Sequence, residues 1–163
     1  MMHLLYLHGL HARPHTDKVA YLAKYASRVS APQLDYFQNE ALFSDLLGFC
    51  REEAVQILVG SSAGGLMAYW LGQHLGLPAL LFNPALMYRA MRQDIIEPAQ
   101  AASGAFYYVV LGEQDEVIRP ETTQRWLEVK SHPENYCLDI RPALGHQIDL
   151  VTFQNAVDTF FAR

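Results

Sequence analysis

Much of what marks secreted, membrane-bound or nucleic-acid-binding proteins is missing from this chain. Cysteine is scarce. Cys50 and Cys137 alone among 163 residues cannot build a disulfide framework, and both fall in apolar surroundings, so they are expected to be reduced core residues of a cytoplasmic protein. Basic runs are absent: 12 Lys and Arg stand against 17 Asp and Glu, a formal net charge of -5, which argues against nucleic acid or an anionic membrane surface as a partner. No apolar run approaches the roughly 20 residues of a membrane-spanning helix. Met1-Met2-His3 offers no basic n-region, so no signal peptide is expected. Metal and nucleotide motifs are lacking as well. No HExxH or cysteine cluster joins His8, His11 and His15, and the glycine-rich stretch at 60–65 neither ends in Lys-Ser/Thr nor spells G-x-G-x-x-G. Neither a metal nor a cofactor is therefore expected.

What is present is 51% hydrophobic residues in one uninterrupted pattern, without repeat or linker, enough for one well-buried core and hence a single domain over 1–163. Short apolar runs read as strands at Met2 to Leu7, Val55 to Val59, Leu77 to Phe82, Ala105 to Leu111 and Tyr136 to Ile140, with a weaker one at Gln33 to Phe37. Helical spacing separates them. A helix is expected from about Thr16 to Val29, and another capped by Asn39 with Phe43, Leu46, Leu47 and Cys50 on one face. The run after Ser62 is apolar nearly all round, the mark of a helix buried on several sides. Pro120 suits a helix first turn, with Thr122, Trp126 and Val129 inward, and Leu150, Phe153, Val157, Phe160 and Phe161 stripe a C-terminal helix. Residues 85–104 suggest short helical pieces. Six strands alternating with helices predict an α/β fold, one parallel sheet covered on both faces, with its site at the carboxyl ends of the strands.

Three polar residues fall at such ends. Gly60-x-Ser62-x-Gly64 has the form of a nucleophile elbow, a strand-to-helix turn that needs small residues two before and two after the serine. Ser61 does not fit that frame, because its flanks would be Val59 and Ala63. Asp115 follows the fifth strand and His146 the sixth, giving the chain order Ser, Asp, His. Glu113 and Glu116 are rivals of Asp115, but a short acid buries better against an imidazole. His8-Gly9 ends the first strand, where a loop can aim the N–H of Leu10 at an oxyanion, opposite the N–H of Ala63.

With Leu5-Tyr6-Leu7-His8-Gly9-Leu10, Gly60-Ser61-Ser62-Ala63-Gly64-Gly65, Asn83-Pro84-Ala85 and Gly145-His146 assembled, the chain resembles the serine α/β-hydrolases, and specifically the small bacterial YqiA-like esterases. It departs from their pattern in reading Gly112-Glu113-Gln114-Asp115 where Gly-Asp-x-Asp/Glu is usual, and in lacking an aromatic soon after His146. The resemblance implies an α/β-hydrolase fold with a minimal lid and hydrolysis of a small or short-chain ester or thioester. Only 85–104 is long enough to cover a site. There Met87, Tyr88 and Met91 are expected against an acyl group, and Arg89 and Arg92 near an acidic leaving group, unless the segment is a helix packed at the sheet edge. An amidase, a carbon–carbon bond hydrolase and a non-catalytic binding protein are the alternatives on the same scaffold.

Overall fold

Strands that are apolar on both sides persist only where helices cover both faces of their sheet. In the computed structural model, which describes residues 1–87 and 92–163, four such strands occupy the middle of a parallel sheet: β1 (His3–Leu7), β3 (Ile57–Ser61), β4 (Ala79–Phe82) and β5 (Tyr107–Gly112). The less buried β2 (Arg28–Ser30) and β6 (Tyr136–Arg141) form the edges, in the order β2-β1-β3-β4-β5-β6. Every neighbouring pair is parallel.

The two-residue period of a strand divides the core in two. Leu5, Leu7, Leu58, Leu81, Val109 and Leu111 point toward α2 (Leu42–Glu52), α3 (Ala63–Leu75) and α4 (Pro120–Lys130). Their alternates Leu4, Tyr6, Val59, Leu80, Phe82 and Val110 face α1 (Thr16–Leu22) and α5 (Leu150–Phe161). The helix expected to be apolar all round is α3, buried from Ala63 to Gln73. Its one buried amide is satisfied, Gln73 Nε2 donating to the Tyr107 hydroxyl at 2.8 Å.

Several expectations are corrected. The helix expected from Thr16 to Val29 stops at Leu22, and Arg28-Val29-Ser30 instead pairs with His3-Leu4-Leu5 as β2. Gln33 to Phe37 lies outside the sheet. Its alternation is real, with Leu34 and Tyr36 buried, but the cause is docking onto the end of β1. The Leu34 N–H donates to His8 Nε2 at 2.8 Å, and the Tyr36 hydroxyl donates to the His8 carbonyl. Asn39 bonds the Ala41 N–H and Asp45 just ahead of α2 without being its N-cap, which is Ala41. On α4 the buried face runs through Thr123 and Leu127, and Trp126 packs against the core as expected, whereas Thr122 and Val129 are exposed.

Residues 92–104 contain no helix. They form a strap over the α2–α3 layer. Gln93 Nε2 donates to the carbonyls of Tyr36 and Asn39, and Ser44 donates to the Asp94 carboxylate. His74 Nε2 bonds Ile96 O at 2.6 Å, and the Ala102 N–H reaches Gln73 O at 2.8 Å.

Candidate active site

The strand order reverses between β1 and β3, since the chain steps outward to β2 before returning. Crevices of parallel sheets open at such switch points, beyond the strand carboxyl ends. Here the ends of β1 and β3 present His8-Gly9-Leu10 and Ser62 to one cleft of about 360 Å³, lined also by His146, Val117 and Ile148.

Ser62 sits at φ 54°, ψ -114°, a positive-φ conformation costly for a residue with a side chain. The surroundings hold it there. Its N–H donates to Phe82 O at 2.9 Å, and its carbonyl accepts from Leu66 at 3.1 Å and Ala85 at 3.0 Å. The bend also requires close backbone approach: a side chain at Gly60 would collide with the Gly64 carbonyl, and one at Gly64 with the carbonyls of Leu7 and His8. The residue types flanking the serine are therefore dictated by contact between β3, α3 and the end of β1. Ala63 opens α3, which places its N–H among the unpaired donors of a helix start.

Asp115 and His146 come together from the loops after β5 and β6. His146 Nδ1 donates to Asp115 Oδ2 at 2.8 Å, and the Asp115 side chain is fully buried. The other carboxylate oxygen accepts from the N–H groups of Val117 and Ile118, both at 2.8 Å. Three donors thus fix the carboxylate, which in turn fixes the imidazole tautomer and leaves Nε2 for proton exchange. Ser62 and His146 line the same cleft; no hydrogen bond joins their side chains among the described residues.

His8 is buried, and its role follows from its two partners. Leu34 N–H can only donate, so Nε2 accepts and Nδ1 carries the proton, which goes to Gly9 O at 2.7 Å. Burial pushes its pKa below the usual value. In a trans peptide the carbonyl and the next N–H point opposite ways. Anchoring Gly9 O therefore turns the Leu10 N–H away from His8.

In the sequence Asn83 stands out only as part of the Asn83-Pro84-Ala85 motif. The structure makes it a junction. It is buried, adopts φ 40°, and accepts the Gly112 N–H on Oδ1 at 2.8 Å. Its Nδ2 donates to the carbonyls of Gly145 at 2.9 Å and His146 at 3.2 Å. One side chain thereby ties the end of β4 to the end of β5 and to the histidine loop. Its signal was an Asn-Pro pair closing a buried strand, where Asn tolerates the left-handed region best.

Met87 is 54% exposed and is not among the residues lining the cleft. Tyr88, Arg89 and Met91 lie outside the described residues, and Arg92 is exposed. Among the described residues no three His, Cys, Asp or Glu side chains gather as a metal-ligand set, and no helix is long and apolar enough to cross a membrane.

Solved structures share this architecture at low sequence identity. A protein of Xanthomonas campestris pathovar campestris assigned to the α/β hydrolase superfamily superposes with a TM-score of 0.68 at 20% identity, covering 98% of this chain and 96% of its own. Esterase PE8 gives 0.69 at 18% identity, with 99% and 92% covered. The Bacillus cereus carboxylesterase gives 0.64 at 19%, with 99% and 88% covered. The fold is that of the α/β hydrolases. In sequence, a family model matches residues 3–118, from β1 through the elbow to the loop carrying Asp115, and the chain belongs to that family, the uncharacterised protein family UPF0227.

Proposed function

We propose that this protein is a serine hydrolase that cleaves small carboxylic esters or thioesters through an acyl-enzyme. The observation that carries the reading is the buried Asp115–His146 pair opening onto the cleft in which Ser62 stands on a positive-φ bend. In this mechanism Ser62 Oγ attacks the acyl carbonyl while His146 Nε2 takes its proton. Asp115 holds the tautomer and stabilises the imidazolium that forms. The N–H groups of Leu10 and Ala63 receive the oxyanion, the first aimed by the His8–Gly9 hydrogen bond. The alcohol or thiol leaves with the proton from His146, and water hydrolyses the acyl-enzyme by the reverse roles. Leu10, Val117 and Ile148 supply apolar lining in the same cleft. The unpaired Cys50 and Cys137 suit work in a reducing, cytoplasmic compartment.

The test is a fluorophosphonate probe followed by a panel of acyl esters. Labelling confined to Ser62, with ester turnover that Ser62→Ala lowers on the order of 10⁶-fold, is the expected result. An unlabelled protein would make it a binding module. Labelling without ester turnover would move the reaction to amides or carbon–carbon bonds.

A further inference from the structure

The chain as a whole is anionic, at -5, but the rim of its cleft is not. The loop between β1 and α1 sets His11, Arg13 and His15, and the first turn of α1 sets Lys18, along the cavity that holds Ser62, and among the described residues no Asp or Glu lines it. Three bonds shape this wall. Gly9 O accepts from His8 at 2.7 Å, Ala12 O from Gln33 Nε2 at 3.1 Å, and His15 O from the Val19 N–H at 3.0 Å. His11, at φ 52°, stacks on Phe37 with ring centroids 5.2 Å apart.

The two permanent cations are not equivalent. Lys18 Nζ already donates to Ile148 O at 2.5 Å, and its burial disfavours the charged ammonium, an effect that the Asp149 carboxylate only partly opposes. Arg13 is exposed and belongs to none of the ion pairs among the described residues. A guanidinium offers five donors in a planar fork that matches a carboxylate. Its desolvation cost is lower than that of an ammonium.

We infer that the cleft selects esters bearing a second, anionic group, a carboxylate, which Arg13 receives while Ser62 attacks the ester carbonyl. The inference rests on the esterase reading of Ser62. A cavity of about 360 Å³ suits a half-ester of a short dicarboxylic acid, or a short ester of a hydroxy acid. The carboxylate belongs to the acyl part in the first and to the leaving alcohol in the second.

Two matched pairs separate these sources. Monomethyl glutarate is compared with methyl butyrate, and O-acetylglycolate with ethyl acetate, following kcat/KM by pH-stat titration in the wild type, Arg13→Gln and Arg13→Lys. The anionic member of one pair is expected to be favoured about tenfold. That ratio falls toward one in Arg13→Gln, partly recovers in Arg13→Lys, and shrinks as added salt shortens the screening length. The pair that responds identifies which part carries the charge. In the wild type alone, glutarate or glycolate should compete with a neutral ester. A wild-type ratio near one in both pairs, a ratio unmoved by Arg13→Gln, or no competition by either anion overturns the inference. Continued turnover of neutral esters would then leave the Ser62 reading standing; failure of that reading shows separately, as absence of fluorophosphonate labelling.

Discussion

Asn83 carries three polar connections on one side chain, one to the end of β5 and two to the histidine loop. Its geometry leaves no freedom in the amide: the Gly112 N–H requires an acceptor, and the carbonyls of Gly145 and His146 require donors. Asn83→Ala removes all three and leaves a positive φ that alanine disfavours. We expect a loss of about 2–4 kcal/mol in urea unfolding. Because the His146 loop is released, kcat should fall roughly 10–100-fold with KM little changed, as misplacement of a base predicts. Unchanged kcat in a folded Asn83→Ala would show that the junction only stabilises. Asp115→Asn differs in kind. The Val117 and Ile118 N–H groups can still bond Oδ1, so the fold should survive, but an amide beside His146 Nδ1 favours the wrong tautomer. Activity should drop on the order of 10⁴-fold. The same loss in Glu113→Gln, with Asp115→Asn active, would reassign the acid.

At the scale of elements, the loop after β1 depends on a neutral His8. Its pKa is lowered from 6.5 by burial. Between that lowered value and 6.5 the unfolded chain binds more of the proton than the folded one, so stability rises with pH across the window. The contribution is complete above 6.5 and is lost as pH falls through the folded value. Protonation would put a second N–H against the Leu34 N–H, breaking the bond that holds 33–37. The urea midpoint should therefore fall as pH is lowered from about 7.5 to 5, and less steeply in His8→Gln. Equal slopes would exclude His8 as the source. The segment that His8 anchors also shows why part of the fold was illegible. Leu34 and Tyr36 alternate with Gln33, Asp35 and Phe37 as in a strand, but what they bury against is a loop end. Strand β2 has only three residues, too few for a period to register, and Ala26 and Val29 extend the helical spacing of α1 past its end. No glycine or proline marks the stop at Leu22. By contrast β1, β3, β4 and β5 were readable because burial on both faces makes them continuous apolar runs between turn residues. Ser62 was readable because it follows such a run directly, and Asp115 and His146 because they stand in the loops after β5 and β6. Asn83 follows one too, but a hydrogen-bond junction leaves no pattern beyond a single residue type.

Across the whole molecule, what covers the cleft governs which esters it can hold. Of the described part of the 85–104 segment, only Ala85 borders it. From residue 92 the chain is tied to the segment before α2 through Gln93, to α2 through Asp94, and to α3 through Ile96 and Ala102, and Lys130 pairs with Glu97 at 3.0 Å. The cleft has about 360 Å³, near the lower end for small-molecule sites. A site that gripped an acyl chain along its length would gain about 0.8 kcal/mol for each methylene buried. Four methylenes, from butyrate to octanoate, would then raise kcat/KM by roughly two orders of magnitude. On the proposed short-chain reading the added carbons would leave the cavity for water and return almost none of that energy. With p-nitrophenyl acetate, butyrate, hexanoate and octanoate, kcat/KM should level off or fall beyond butyrate. A hundredfold rise to octanoate would mean that the longer chain is enclosed when bound, and would overturn the open-site reading.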